Sequence, residues 1–172
     1  SIGSVLAGVL AARGFATVDE VRSFLQSDEE VDAEGIGAVA AGSALADAIA
    51  DGRTIAVHGD YDCDGVCSTA ILALGLRALG ATVVPRVPER SDGYGLSTNA
   101  IDELRSGGAD LLIAVDCGVT AVDEVAHAVD AGMEVLVVDH HRFRSDGSVP
   151  DAILVHPQIN DPEALPMCAA AL

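Results

Sequence analysis

The sequence predicts an α/β protein with a doubly wound, mainly parallel five-stranded sheet, preceded by an N-terminal helical arm. Three features of the chain predict this class. Five short apolar runs are rich in β-branched residues, segments with helical spacing lie between them, and glycines follow those segments where helices commonly end. Most of the runs are continuous rather than alternating, which is typical of parallel strands buried on both faces.

Helical spacing dominates the first part of the chain. The predicted helical segments are residues 5–26, with a break at Gly14, and residues 36–50. A polar, acidic stretch at residues 27–30 lies between them and is expected to form a loop. We therefore expect residues 1–52 to form the helical arm.

The remainder of the chain, residues 53–172, is expected to form the sheet domain. The predicted strands are residues 54–57, 82–84, 111–115, 135–138 and 153–155. The helices predicted between them are residues 66–79, 98–105 and 121–131. This alternation places the strand connections on both faces of the sheet.

Composition limits the class of protein. Half of the 172 residues are hydrophobic but only 3% are aromatic, so we expect a core of aliphatic side chains. No apolar run reaches the roughly 18 residues needed to span a membrane, and no basic-then-apolar signal segment opens the chain. We expect a cytoplasmic protein without membrane contacts. The four cysteines include no CxxC pair, which argues against zinc and favours small buried thiols.

The net charge of −18, with nine arginines as the basic residues, is unusual for a protein that binds nucleic acid. Three explanations remain open. Phosphate groups are held by bound cations and a few local arginines, or the substrate is small, or a basic partner domain is missing.

Acidic and imidazole side chains follow three of the predicted strands. The first strand runs into HGDYDCDG, which begins at His58, the third into DCG at Asp116, and the fourth into DHH at Asp139. Because the carboxyl ends of parallel strands meet at one edge of a sheet, we expect these three clusters to converge there.

Five carboxylates and three imidazoles in one place would repel one another unless a cation is present. Oxygen ligands with a minority of imidazoles suit Mn²⁺ or Mg²⁺, and the histidines favour Mn²⁺. Two such ions about 4 Å apart can share a carboxylate and activate water for attack on phosphorus. Asp116, alone at the end of a central strand, is the best candidate for the shared ligand.

Taken singly, each cluster has a simpler explanation. Asp64 or Asp116 could cap a helix, the acidic loop could be a solvated turn, and the His-His pair could lie on the surface. Their common position after strands favours a metal site. A helix-loop-helix calcium site is rejected because position twelve, counted from Asp60, is Ile71 rather than Glu, and because a strand precedes the loop.

These motifs resemble the signatures of the DHH superfamily of phosphoesterases: HGDYDCDG from His58, VDCG ending at Gly118, and VDHH ending at His141. The superfamily includes RecJ exonucleases, oligoribonucleases, cyclic-dinucleotide phosphodiesterases, exopolyphosphatases and manganese-dependent pyrophosphatases. RSDGYGL at residues 90–96 resembles the GYGL motif of RecJ-like members, which an arginine precedes. The N-terminal arm and the His-Pro pair at His156 are also similar to theirs.

The resemblance implies roles for individual residues. The implied metal ligands are Asp62, Asp64, Asp116 and His140, with His58 and Asp60 as further candidates. The implied catalytic residues are Asp62, Asp64, Asp116, His140 and His141. His141 would contact the scissile phosphate or complete a metal shell, and Asp139 would orient a histidine. The expected substrate-binding residues are Arg90, Tyr94, Gly95, His141 and Arg142. Arg86 and Arg144 are expected near the same rim.

The function that the resemblance implies is hydrolysis of phosphodiester bonds by two Mn²⁺ or Mg²⁺ ions, in a 5′-to-3′ exonuclease on single-stranded DNA in repair or recombination. Replication or repair proteins are expected partners. The alternatives are a phosphoesterase for short oligonucleotides or cyclic dinucleotides, and an inactive scaffold for such partners. RecJ-like enzymes have another metal-binding Asp after a glycine-rich segment, which should begin near Cys168, and a second domain. We therefore expect this chain to be a fragment.

Overall fold

The computed structural model describes residues 3–25, 32–160 and 167–172. The chain divides into two compact units, Ser1–Asp32 and Ala33–Leu172. This division differs from the boundary expected at residue 52, because residues 38–50 contribute side chains to the same buried cluster as the strands. The acidic loop expected at residues 27–30 lies outside the described residues.

The first unit contains two short helices, α1 (Ser4–Ala12) and α2 (Val18–Leu25). Gly14 lies between them with φ of 95°, as the predicted break requires. Thr17 and Glu20 close the start of α2 with reciprocal hydrogen bonds: the Thr17 hydroxyl accepts from the Glu20 amide at 3.2 Å, and the Glu20 carboxylate accepts from the Thr17 amide at 3.0 Å. The backbone amides of Ala16, at 2.7 Å, and of Thr17 lower the pKa of Glu20.

The second unit is a five-stranded parallel sheet with the strand order β2-β1-β3-β4-β5. Its strands are β1 (Thr54–His58), β2 (Thr82–Arg86), β3 (Leu111–Val115), β4 (Glu134–Val138) and β5 (Ile153–Val155). Its helices are α3 (Ala38–Ala50), α4 (Cys63–Ala78), α5 (Thr98–Ser106), α6 (Val122–Asp130) and a C-terminal 3₁₀ helix (Ala169–Ala171). The predicted parallel α/β fold is confirmed.

Hydrophobic clusters cover both faces of the sheet. On one face, Ile113 and its neighbours pack with side chains of α3 and α4, and on the other, Leu112 and its neighbours pack with α5 and α6. Successive residues of a strand point to opposite faces, so an unbroken apolar run such as β3, which is entirely buried, supplies both clusters. The core is almost wholly aliphatic, as the composition predicts.

Three of the four cysteines are exposed, so the expectation of buried thiols is wrong for Cys63, Cys67 and Cys168. Cys63 opens α4 and Cys67 lies one turn later on the same outward face. Only Cys117, which follows β3, is buried. Within the described residues, no helix has the length and apolar character required to cross a membrane.

Glycines allow the loop after β1 to lie directly against the start of α4. A Cβ atom added to Gly65 would lie 2.5 Å from both the backbone nitrogen and the backbone oxygen of Asp60. A Cβ atom added to Gly59 would collide with the Thr69 hydroxyl and lie 2.7 Å from the Gly65 carbonyl oxygen. The sequence HGDYDCDG therefore brings the loop and the helix into backbone contact, which fixes the side chains between them.

We expect Gly65→Ala to lower the free energy of unfolding by about 1–3 kcal/mol, because the added methyl group must displace the Asp60 backbone. Gly75→Ala is the matched control in the same helix, where an added Cβ meets nothing within 4 Å. It should raise that free energy by up to about 1 kcal/mol through helix propensity. Urea unfolding in metal-free buffer measures both, and equal effects would contradict the close contact.

Candidate metal centre

The three motif-bearing strand ends lie side by side, since β1, β3 and β4 are neighbours in the sheet. The chain order reverses between β1 and β3, and such a switch point opens a crevice at the carboxyl edge of the sheet. Backbone bonds extend beyond the strands and hold the next residues in register. The Asp116 amide donates to the Val138 carbonyl at 2.9 Å, and the Asp139 amide to the Val155 carbonyl at 3.0 Å.

Asp116 lies at the centre of this edge. The buried carboxylate is 3.1 Å from Nε2 of His140, which is also 3.5 Å from the carboxylate of Asp64. Asp116 belongs to two groups of side chains whose ligand atoms lie within 4.8 Å of one another. The first group is Asp116, His140 and His141, and the second is Asp60, Asp62 and Asp116. The structure therefore brings the three sequence clusters together.

The backbone conformation of Asp116 is unusual. Its φ of 59° is the one positive value at a non-glycine position in the described parts of the chain. Asp tolerates this left-handed region better than most residues, and the conformation turns the chain sharply after β3.

Asp62 and Asp64 have different backbone partners. Asp62 is the N-cap of α4, and its Oδ1 accepts from the amides of Asp64 at 2.9 Å and Gly65 at 3.0 Å. These backbone bonds lower the pKa of Asp62. The Asp64 carboxylate instead accepts from the amides of Ala169 and Ala170, each at 2.9 Å. The simpler explanation of helix capping thus applies to Asp62, not to Asp64 or Asp116.

Crowded negative charge changes the acidity of Asp116. Burial first, and then the neighbouring carboxylates of Asp64 and Asp62, raise its pKa to about 6, although His141 and His140 act in the opposite direction. The ionised form of Asp116 is therefore disfavoured when the side chains of the site are its only neighbours. A bound cation would reverse that preference.

His58 and Asp60 are buried at the end of β1. Nε2 of His58 is 3.1 Å from the Gly95 carbonyl oxygen, and burial lowers the pKa of the imidazole. A neutral ring that donates from Nε2 keeps a lone pair on Nδ1. Among the described residues, neither His58 Nδ1 nor Asp60 Oδ1 has a hydrogen-bond partner. Asp60 belongs to one of the two groups of ligand atoms, and His58 belongs to neither.

Asp139 is buried and fully hydrogen-bonded. Its Oδ1 accepts from the His140 amide at 2.7 Å, from the His141 amide at 3.1 Å and lies 2.7 Å from His141 Nδ1. Its Oδ2 accepts from the Val119 amide at 2.9 Å. This carboxylate also favours the charged form of His141, whose pKa is raised despite the opposing effect of burial. Asp139 therefore fixes the direction of the His-His pair.

Of the expected substrate-binding residues, Tyr94 contacts the His-His pair directly. The Tyr94 hydroxyl is 3.3 Å from Nε2 of His141 and donates to the Asp116 carbonyl at 3.4 Å. The Arg90 guanidinium lies 4.7 Å from the centre of the Tyr61 ring, which itself meets the Tyr94 ring edge-on. Gly95 contributes the carbonyl that His58 contacts, and Arg142 is exposed.

Two of the four arginines expected at the rim are already paired with acids. Arg86 contacts Glu103 at 3.0 Å, and Arg144 contacts Asp146 at 3.0 Å. Their charge is partly neutralised within the protein, so they offset less of the acidic surface than the sequence suggested.

Sequence reasoning did not assign Tyr61 or the contacts of His156. The signal for Tyr61 was present, because the chain has only two tyrosines and both lie in rim motifs. His156 accepts from the Gln158 amide at Nδ1, 3.0 Å away, so its Nε2 carries the proton and donates to the His141 carbonyl at 2.8 Å. A long-range contact of this kind leaves no local pattern in the sequence.

We expect opposite effects on stability from two neighbouring substitutions in metal-free buffer. Asp139→Asn should lower the free energy of unfolding by about 1–3 kcal/mol. Both oxygens of the Asp139 carboxylate accept hydrogen bonds from backbone N–H groups, so the side-chain NH₂ group of Asn would face one of these donors. Asp116→Asn should raise it by about 1 kcal/mol, because it removes a buried charge beside Asp62 and Asp64. Urea unfolding with a chelator present measures both, and changes of the same sign would contradict the charge crowding.

Comparisons with known proteins show which family the chain resembles. Residues 54–172 match the family described as "DHH family, N-terminal domain". Single-stranded-DNA-specific exonuclease RecJ of Thermus thermophilus is 42% identical over 120 residues, 69% of this chain and 18% of that protein. The Bacillus subtilis RecJ is 35% identical over 162 residues, 91% of this chain and 20% of that protein.

Solved structures give the same result. A crystal structure of exonuclease RecJ bound to manganese has a TM-score of 0.70 and 38% identity, covering 79% of this chain and 34% of that one. RecJ of Thermus thermophilus in complex with Mn²⁺ has a TM-score of 0.67 and 34% identity, covering 81% of this chain and 19% of that one. The chain spans about a fifth of the length of the curated relatives it matches. With the family match extending over most of its residues, the chain belongs to the DHH family.

Proposed function

We propose that this chain carries the metal centre of a phosphodiesterase, acting as an exonuclease on single-stranded DNA from its 5′ end. The observation that carries the proposal is the position of Asp116, shared by two groups of ligand atoms at the carboxyl edge of the sheet. The named relatives, which are single-stranded-DNA-specific exonucleases, support the same substrate.

The site fits two Mn²⁺ or Mg²⁺ ions. Carboxylate oxygens with a minority of imidazole nitrogens are the donors that these ions accept. The unpartnered oxygen of the buried Asp60, and the repulsion that raises the pKa of Asp116, both favour a cation here. The residues that would hold the ions are His58, Asp60, Asp62, Asp64, Asp116 and His140, and Asp116 would be the shared ligand.

The proposed chemistry is hydrolysis at phosphorus. Bound divalent ions supply charge neutralisation for the phosphate and lower the pKa of the attacking water. His141, held by the buried Asp139, is positioned to donate to a phosphate oxygen. The Tyr94 hydroxyl limits the rotation of the His141 ring, and Arg90 with Arg142 would hold the DNA backbone. The Gly95 carbonyl accepts from Nε2 of His58, which leaves the lone pair on Nδ1 available to an ion.

One alternative retains support from the structure. Arg86 and Arg144 are paired with acids, so few other arginines remain at the rim to contact the phosphates of a long strand. This favours short oligonucleotides or cyclic dinucleotides as substrates. The inactive scaffold is the other alternative, and Mn²⁺ titration separates it from an enzyme. Action in DNA repair or recombination, contact with replication or repair proteins, and a cytoplasmic location remain predictions from the sequence.

We expect Asp116→Ala to abolish detectable Mn²⁺ binding and to lower the rate of metal-dependent hydrolysis by on the order of 1,000-fold. Calorimetric titration and hydrolysis of a 5′-phosphorylated single strand measure these two effects. Asp102→Ala is the matched control, because this carboxylate contacts His127 in α6 rather than the metal centre. Near-wild-type hydrolysis by folded Asp116→Ala would exclude the shared-ligand role, and an unchanged chain that ignores millimolar Mn²⁺ would favour the scaffold.

We expect Arg90→Gln to weaken the binding of a long single strand. The slope of log affinity against log salt concentration should become shallower by about 0.7, because one phosphate contact is lost. Arg144→Gln is the matched control, since that guanidinium is already paired with Asp146. The measurements are KM values at several salt concentrations for a long 5′-phosphorylated strand and for a dinucleotide. Faster hydrolysis of the dinucleotide, with no effect of Arg90→Gln, would favour the short-substrate alternative.

A further inference from the structure

The Asp64 carboxylate is held by the backbone of a distant segment. Oδ2 accepts from the Ala169 amide and Oδ1 from the Ala170 amide, both at 2.9 Å. Hydrogen bonds from backbone amides to a charged carboxylate are stronger than neutral ones. Because each oxygen has its own donor, the two bonds together fix the rotation of the carboxylate plane as well as its position.

The segment that supplies these donors is itself anchored in the protein. Ala169 is 4% exposed and belongs to the buried cluster on the α3–α4 face of the sheet, and Leu172 packs against that cluster. The Ala171 amide donates to the Cys168 carbonyl at 3.0 Å, which closes the turn of 3₁₀ helix. The amides of Ala169 and Ala170 are left free to point towards α4.

The orientation that results faces the metal centre. Asp64 Oδ2 lies 3.5 Å from Nε2 of His140, which in turn contacts Asp116 at 3.1 Å. Each carboxylate oxygen has two lone pairs. Oδ1 also accepts from the Ser68 hydroxyl at 3.5 Å, so Oδ2 is the oxygen that keeps a lone pair for the metal centre. Asp64 is also one of the two carboxylates that repel Asp116.

We propose that residues 168–172 are a positioning element of the metal centre: their backbone amides orient Asp64 so that its Oδ2 faces the proposed ion site. The inference rests on the ligand role proposed above for Asp64. By linkage, an element that strengthens metal binding must itself be stabilised by the metal. A purely structural contact between α4 and the C-terminal segment would stabilise the fold without changing the affinity for Mn²⁺.

Replacing single amides by esters tests the inference. Cys168 allows a synthetic peptide of residues 168–172 to be ligated to the chain ending in a thioester at Met167. An ester at position 169 removes the N–H that Asp64 accepts and leaves the side chains unchanged. An ester at position 171 is the matched control, because that N–H donates to the Cys168 carbonyl instead.

The expected result is a dissociation constant for Mn²⁺ about tenfold higher for the ester at 169 than for the control, the usual effect of losing a contact that orients a ligand. Both esters should shift the metal-free unfolding midpoint similarly. In the unmodified chain, Mn²⁺ should slow hydrogen exchange at the amides of Ala169 and Ala170.

Equal affinities of the two esters for Mn²⁺, or faster exchange with Mn²⁺, would overturn the inference alone. No binding of millimolar Mn²⁺ by the unmodified chain would overturn the proposed function, and the inference with it.

Discussion

Repulsion between carboxylates at one edge of the sheet is the constraint on which the site depends. The fold compensates most of this charge with backbone amides: the start of α4 for Asp62, the C-terminal segment for Asp64, and Val119 with the His-His pair for Asp139. The Asp116 carboxylate instead contacts the imidazole of His140, and burial together with the carboxylates of Asp64 and Asp62 raises its pKa. In the described parts of the chain, no backbone donor reaches the Asp116 carboxylate, which belongs to both groups of ligand atoms, and the Oδ1 atom of Asp60, which belongs to one of them, has no hydrogen-bond partner. These two carboxylates are therefore the ones that a cation would stabilise most.

The parallel sheet makes this crowding possible. Apolar strands buried on both faces set a rigid register, and the residues after β3 and β4 continue it through backbone bonds. Flexible loops would relax and let the carboxylates separate, whereas the contact between Gly65 and the Asp60 backbone prevents this on the β1 side. The energy of the hydrophobic core is therefore what holds like charges together.

Much of this could be predicted from the sequence. The predicted strands 111–115 and 153–155 coincide with β3 and β5, and the others differ by one or two residues. Periodicity and strand-end motifs are local signals, which is why the convergence at Asp116 was predictable. Helix α4 begins at Cys63, three residues before the predicted start, because Asp62 caps it and Gly65 is needed for close contact rather than for a turn. The amides that hold Asp64 are 105 and 106 residues away and have no side-chain signature, so no sequence pattern could indicate them.

The acidic composition and the metal centre fit together in the proposed function. A chain of net charge −18 repels a nucleic acid at long range, and pairing with acids has already partly neutralised Arg86 and Arg144. The bound ions would then provide most of the positive charge that a phosphate meets at the rim. In the proposed function, metal binding would therefore favour substrate binding, because the ions would offset the repulsion between the carboxylates and a phosphate. By linkage, bound substrate would favour metal binding equally. Contacts that orient Asp64 and His141 without touching substrate would then influence both steps through the same carboxylate edge.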